Sequence, residues 1–411
     1  MFAPPGQAVR AYTNSHPGGE CEFTRYNANL LDEEMRVYKS PALGRLGSRL
    51  YVFAPGTNML RYQSSLDGAD CPQPSTTPCR SWIPPRKLST FDVTGGVDAA
   101  RVRVNGSDVL LIVGVAADGT VNYSIMRDSK LGPLFSTPAW VPILARSSGE
   151  PALETMPDGR ALLVIRERDD HMLVWAIFDP AANGWVRWAP AADCTTGNAL
   201  YHSNFASPGL VRTNFVGNGP QIYGLFSNLA DGNSDFRVNL RRFDASKACW
   251  TDAPELPVQN PSSFQIAGRP AAVFVPDNNI AQGGRLYVVS LASHYLADQR
   301  QLRQRWSYVD KNGTWWLGAD ESLDNEWLKG YGVDAWFDPG IDKNLRVAFA
   351  QSAGTAPAED GGRVRFLPKA DGINAYAQEN RDDWAMIRIA MCRMLTSQNA
   401  SQAISCPAWP Y

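Results

Sequence analysis

Residues Gly149 to Pro190, GEPALETMPDGRALLVIRERDDHMLVWAIFDPAANGWVRWAP, decide the fold. A small-residue run, Glu150-Pro151-Ala152-Leu153, leads to an Asp158-Gly159 turn, and an apolar run from Ala161 to Ile165 follows. A polar loop with His171 comes next, then alternation from Met172 to Phe178, a second glycine turn, and a last run opening at Trp185. Short apolar or alternating runs punctuated by Asp and Gly turns read as strands. Four of them joined by tight turns make one antiparallel sheet, the blade of a β-propeller.

The same wording occurs six times. Pro41, Asp98, Pro151, Pro208, Pro270 and Asp334 open corresponding strands at intervals of 57, 53, 57, 62 and 64 residues. Second strands follow, such as Arg49 to Phe53 and Val109 to Val113, and each copy ends on a tryptophan-led strand at Trp82, Trp140, Trp185, Trp250, Trp315 or Trp409. A period this regular, matched at several points per copy, indicates an array. The expected fold is all-β, a six-bladed β-propeller of four-stranded blades over 39–411, which also explains how 411 residues avoid one oversized core. Residues 1–38 hold no full copy and are expected to close the ring by adding a strand to the last blade. The sixth copy is read as Val333 to Trp336, Asn344 to Phe349, Trp384 to Met391 and Ala408-Trp409, with an insertion at about 351–383.

The unit, Pro-Ala, a Gly turn, Arg49-Leu50-Tyr51-Val52-Phe53-Ala54 and a Trp-led strand, resembles the bacterial propeller lectins that bind fucose and related sugars. More distantly it is similar to sialidase-type propellers. The resemblance covers about residues 39 to 411 and implies a carbohydrate ligand, a glycan or polysaccharide. Such lectins repeat their ligand-binding groups from blade to blade. After the Pro-Ala position this chain instead reads Gly44-Arg45, Arg101-Val102, Glu154-Thr155, Val211-Arg212, Val273-Phe274 and Phe337-Asp338, so a single asymmetric site is expected.

A formal net charge of −2 gives no global attraction to nucleic acid or anionic membranes, and no apolar run reaches the eighteen or so residues of a spanning helix. Seven cysteines without a CxxC pair, and four histidines without i, i+4 spacing, argue for disulfides over a metal site. The expected pairs are Cys71–Cys79, Cys194–Cys249 and Cys392–Cys406, leaving Cys21, or else Cys21–Cys406 joining the chain ends. That chemistry places the protein in a secreted or periplasmic setting.

The long segments Asn228 to Asp235, Ala292 to Gln301 and Gln351 to Asp383 fall at one end of the blades, and elaborated loops carry function. Residues entering the inner strands, Ser40, Asp98, Glu150, Ser207, Arg269 and Asp334, are expected to ring the channel mouth there. Glu150, Asp334 and Asp98 are candidate acid/base groups, with His202 a candidate base. Arg269, His294, Tyr295 and Trp336 are candidate ligand-binding residues, Trp336 by stacking on a sugar face. The bland reading, acids and arginine pairing with one another around the channel, stands beside this one. No cofactor is expected; acidic loops at Asp231 to Asp235 and Asp320 to Asp324 leave Ca²⁺ open, without the twelve-residue spacing of a calcium loop. A sugar-binding propeller leads, with a glycoside hydrolase or polysaccharide lyase as first alternative and a protein-interaction scaffold as second.

Overall fold

The computed structural model describes 29–30, 36–37 and 39–367, except for 48, 57–58, 65–85, 130–131, 203–206, 217–218, 228–237, 256–263, 277–282, 295–299, 310–314, 318–320, 323–329, 337–345 and 353–361. Six antiparallel sheets succeed one another along the chain. The first blade comprises Ala42–Leu46, Arg49–Gly56, Met59–Ser64 and Arg86–Leu88, and the second Gly96–Val104, Ser107–Val115 and Val121–Arg127, edged by Leu134–Phe135 and Ala139–Trp140. The third runs Ala152–Thr155, Ala161–Arg166, Leu173–Asp179 and Gly184–Pro190, and the fourth Gly209–Phe215, Gly219–Ser227, Val238–Asp244 and Cys249–Glu255. The fifth has Phe264–Pro276, Gly284–His294 and Arg300–Val309, edged by Trp315–Leu317 and Glu321–Ser322. In the sixth, Gly330–Trp336, Arg346–Ser352 and Gly362–Leu367 are followed by Asn29–Leu30, with Arg36–Val37 also on Gly362–Leu367. The six inner strands touch in sequence order and the sixth touches the first, so the ring is closed: the fold is an all-β, six-bladed propeller.

The core lies between blades. In the second blade Leu110 and Ile112 pack with Tyr51 and Phe53 of the first, while Val109, Leu111 and Val113 pack with Leu163, Ile165 and Phe178 of the third. Successive side chains of a strand point to opposite faces, so a strand covered on both faces must be apolar throughout. That is why the second strands read as unbroken apolar runs. The third blade meets the fourth through Leu162, Val164, Trp175, Phe226 and Trp250, and the fourth meets the fifth through Val211, Leu225, Leu286 and Val288.

Details differ from the sequence reading. The outer strand of the first blade is Arg86–Leu88, while 80–84, with Trp82, lies outside the described residues. Gly362–Leu367 falls inside the stretch read as an insertion: Arg363 and Arg365 alternate with Val364 and Phe366 at the period of a strand, and they pair with Arg346–Ser352. The strands expected at 384–391 and 408–409 lie outside the described residues, as do Cys21, Cys71, Cys79, Cys392 and Cys406. Trp140, expected to pack within a blade, is 78% exposed, because Ala139–Trp140 is a two-residue edge strand with no further strand over it.

The disulfide Cys194–Cys249 is formed. It ties the segment leaving the third blade to the outer strand of the fourth, where Cys194 N donates to Trp250 O and Trp250 N donates to Ala192 O. Arg241 adds an ion pair to Asp193 at 2.7 Å. Among the described residues no helix is long and apolar enough to cross a membrane.

Candidate functional site

Arg269 sits at the axis. Pairing between Phe264–Pro276 and Gly284–His294 slips between Ala267 and Ala271, and Gly268 takes a positive φ of 76°. This bulge re-aims the residue that follows, as bulges do. The guanidinium is only 2% exposed. Its Nη1 donates to Val97 O at 3.1 Å and Pro151 O at 3.0 Å, and Nη2 donates to Pro41 O at 3.0 Å. Nη1 also lies 3.0 Å from Asp98 Oδ2, and Nη2 lies 3.7 Å from Asp334 Oδ1. One side chain of the fifth blade therefore engages the first, second, third and sixth.

The two aspartates do parallel work between blades. Asp98 Oδ2 accepts from Leu153 N of the third blade at 2.7 Å, and Asp334 Oδ2 accepts from Leu43 N of the first at 2.5 Å. Burial pushes both carboxyls up and Arg269 draws both down. One guanidinium between two buried carboxylates leaves one negative charge uncompensated, which makes ionising both carboxyls costly. Each also accepts from the backbone N–H of the residue that follows it, Ala99 or Ala335, and Asp334 is pushed up to about 7. The carboxylates hold the guanidinium above its ordinary range against the lowering effect of its burial.

At the entry end of the inner strands a chain of hydrogen bonds crosses between blades. Glu150 reaches from the third blade to the first, accepting from Ser40 N at 3.0 Å and from Ser40 Oγ, while its own N–H donates to Ser207 Oγ of the fourth at 2.9 Å. Ser207 N donates in turn to Gly268 O of the fifth at 3.0 Å. Glu150 passes over Gly96, where a Cβ would stand 2.8 Å from Glu150 Cγ and where φ is 135°. Only glycine fits there.

Below Arg269 a cavity of about 550 Å³ runs along the inner strands. Arg269, Asp98 and Asp334 form its floor, and Arg45, Arg101, Glu154, Arg212, Asn214 and Phe274 line its length. The floor is buried, whereas Arg101, Arg212 and Asn214 are exposed, so the cavity opens where inner strands turn into second strands. In the first four blades those turns are short, and they lie at the end opposite the connections from second to third strands. Glu154 accepts from Thr155 N at 2.7 Å and from Arg212 N; burial, with the Asp98 charge added, pushes its carboxyl up to about 7. Phe274 is held edge-on by Phe215, ring centroids 4.8 Å apart.

Of the residues singled out in the sequence, Asp98, Arg269 and Asp334 come together on this floor. Glu150 is 2% exposed with its carboxylate on Ser40, and His202 is fully buried, its N–H donating to His171 O at 3.0 Å; neither lines the cavity. Tyr295 and the side chains of His294 and Trp336 lie outside the described residues. Among the described residues no group of three or more His, Cys, Asp or Glu side chains is placed to hold a metal, and 231–235, 320 and 323–324 of the acidic loops are not described. The sequence reading passed over Arg45, Arg101 and Arg212, although arginine three or four residues past the repeat register in three copies was a visible signal.

No protein-family profile matches the sequence, and no curated protein sequence is similar to it. Solved structures are similar at the level of fold. A triple arginine-to-alanine variant of AofleA from Arthrobotrys oligospora aligns with a TM-score of 0.51 at 10% identity, over 80% of this chain and 83% of that one. The NanB sialidase of Streptococcus pneumoniae aligns at 0.53 and 9% identity, over 83% and 70%. An α-L-arabinofuranosidase of Fusarium graminearum, solved with an iminosugar inhibitor, aligns at 0.51 and 13% identity, over 82% and 94%, so that what this chain shares with all three is the propeller architecture.

Proposed function

We propose that the chain is a lectin-like, carbohydrate-binding propeller with a single asymmetric site on its axis, working in a secreted or periplasmic setting. The observation that carries this reading is the axial cavity, to which all six blades contribute and in which no two contribute the same set of side chains. Its volume falls within the roughly 300–1,000 Å³ of small-molecule sites, and it joins apolar wall to a few placed polar groups. The sialidase and arabinofuranosidase neighbours support the choice of a sugar ligand, and the Cys194–Cys249 disulfide supports the oxidising setting.

Binding is favoured over cleavage because the axial acids are already engaged. Asp98 and Asp334 are hydrogen-bonded to backbone N–H groups of neighbouring blades and face Arg269, and Glu150 is held on Ser40. Hydrolysis is the second reading, and one observation favours it: Asp334, pushed up to about 7, carries a proton near neutral pH and lines the cavity. A glycan array run beside a reducing-end assay on plant, algal and bacterial polysaccharides separates the two. Binding without new reducing ends supports the lectin reading, reducing ends lost in Asp334→Asn support the enzyme, and a blank result in both assays rejects a carbohydrate role.

A further inference from the structure

We propose that the axial cavity takes a saccharide bearing a carboxylate, with the acid group held by Arg101 and Arg212 at the mouth on the short-turn face. This deepens the sugar-binding reading and rests on it. Three lining arginines, Arg45, Arg101 and Arg212, come from three blades, and beside Arg101 and Arg212 the one further carboxylate among the described lining residues is Glu154. Arg269 faces Asp98 and Asp334 at the floor, so among the described lining groups Arg101 and Arg212 together outnumber the remaining carboxylate, Glu154. Planar guanidinium groups match a carboxylate with paired N–H donors, and they do so where an apolar wall limits competing water.

A second, independent observation points to a ligand. Thr213 lines the same cavity, is 1% exposed, and its Oγ1 has no hydrogen-bond partner among the described residues. A buried hydroxyl without a partner is costly, and a sugar hydroxyl would satisfy it. Phe274, also in the wall and braced by Phe215, offers a face on which the apolar side of a pyranose ring can stack.

The test is calorimetry at pH 6 with digalacturonate and sialyllactose, against carboxyl-reduced digalacturonate and lactose as neutral counterparts. The full chain is compared with Arg101→Gln, Arg212→Gln and the outer-strand control Arg187→Gln, each checked for an unchanged melting temperature. Either acid should bind at least about tenfold more tightly than its neutral counterpart, and each mouth variant should lose at least about tenfold for the acid, the loss typical of a hydrogen bond to a charged group. The neutral sugars should change less than twofold, and Arg187→Gln should change nothing. Equal binding of acid and neutral sugars, or acid binding indifferent to Arg101 and Arg212, overturns the proposal while leaving carbohydrate binding standing. No binding by acidic or neutral saccharides here, with a blank glycan array, overturns both.

Discussion

Arg269 of the fifth blade and Asp98 of the second meet across the axis, 3.0 Å from guanidinium nitrogen to carboxylate oxygen, although 171 residues separate them in the chain. The same guanidinium holds three backbone carbonyls of three blades. Packing between neighbouring sheets alone does not fix how blades meet at the centre. Arg269 does so by engaging non-neighbours at once.

Arg269→Met should therefore destabilise the ring. Removing one partner of a buried pair leaves the other uncompensated and costs about 3–5 kcal/mol. Chemical denaturation should show that loss, and Arg269→Lys should recover little of it, because an ammonium cannot span Pro41 O, Val97 O and Pro151 O together.

Glu150→Gln should act on stability. The carboxylate accepts both from Ser40 N and from Ser40 Oγ in a buried setting, and weakening such a charge-assisted pair costs about 1.5–3 kcal/mol. Gly96→Ala should be equally damaging, since its Cβ would collide with Glu150 in a backbone conformation that favours glycine. A melting-temperature drop for both, with sugar affinity retained below the transition, is the expected result.

Glu154 sets a pH dependence. Its carboxyl, ordinarily near 4.5, is pushed up to about 7 by burial and by Asp98, against the opposing charge of Arg212. The stabilising contribution of the neutral form is complete below about pH 4.5 and is lost as pH rises through about 7. Glu154→Gln should accordingly gain stability at pH 8 and almost none at pH 4, by roughly 1–2 kcal/mol after discounting for partial exposure. Acid-sugar affinity should fall in the wild type between pH 6 and pH 8, as the carboxylate charges beside Arg212, and should hold steady in the variant.

Cys194→Ala combined with Cys249→Ala should cost about 4 kcal/mol, the chain-entropy value for a closed loop of 55 residues. Thermal melts with and without reductant check this: the gap between the wild type and the double variant should be present without reductant and should close under reduction.

The repeat was legible because a propeller writes its period into local chemistry. Turns need Gly and Asp, second strands covered on both faces need unbroken apolar runs such as Val109 to Val113, and both are local requirements. Cys249 was legible for the same reason, placed just before the tryptophan that opens a last strand, and its pairing with Cys194 is formed. Register was enough to put Asp98, Arg269 and Asp334 on inner strands around one axis. What the sequence did not determine is how the blades meet at the axis above the cavity. That depended on Glu150 crossing over Gly96 to Ser40, a contact between non-adjacent blades 110 residues apart, and on a bulge at Gly268 that swings Arg269 inward. Neither has a local signature, because side-chain reach across a closed ring depends on where every blade sits. The cavity with Arg101, Glu154 and Arg212 at its mouth is therefore a property of the tertiary structure: residues unremarkable within their own strands face one another only once six blades close around the axis.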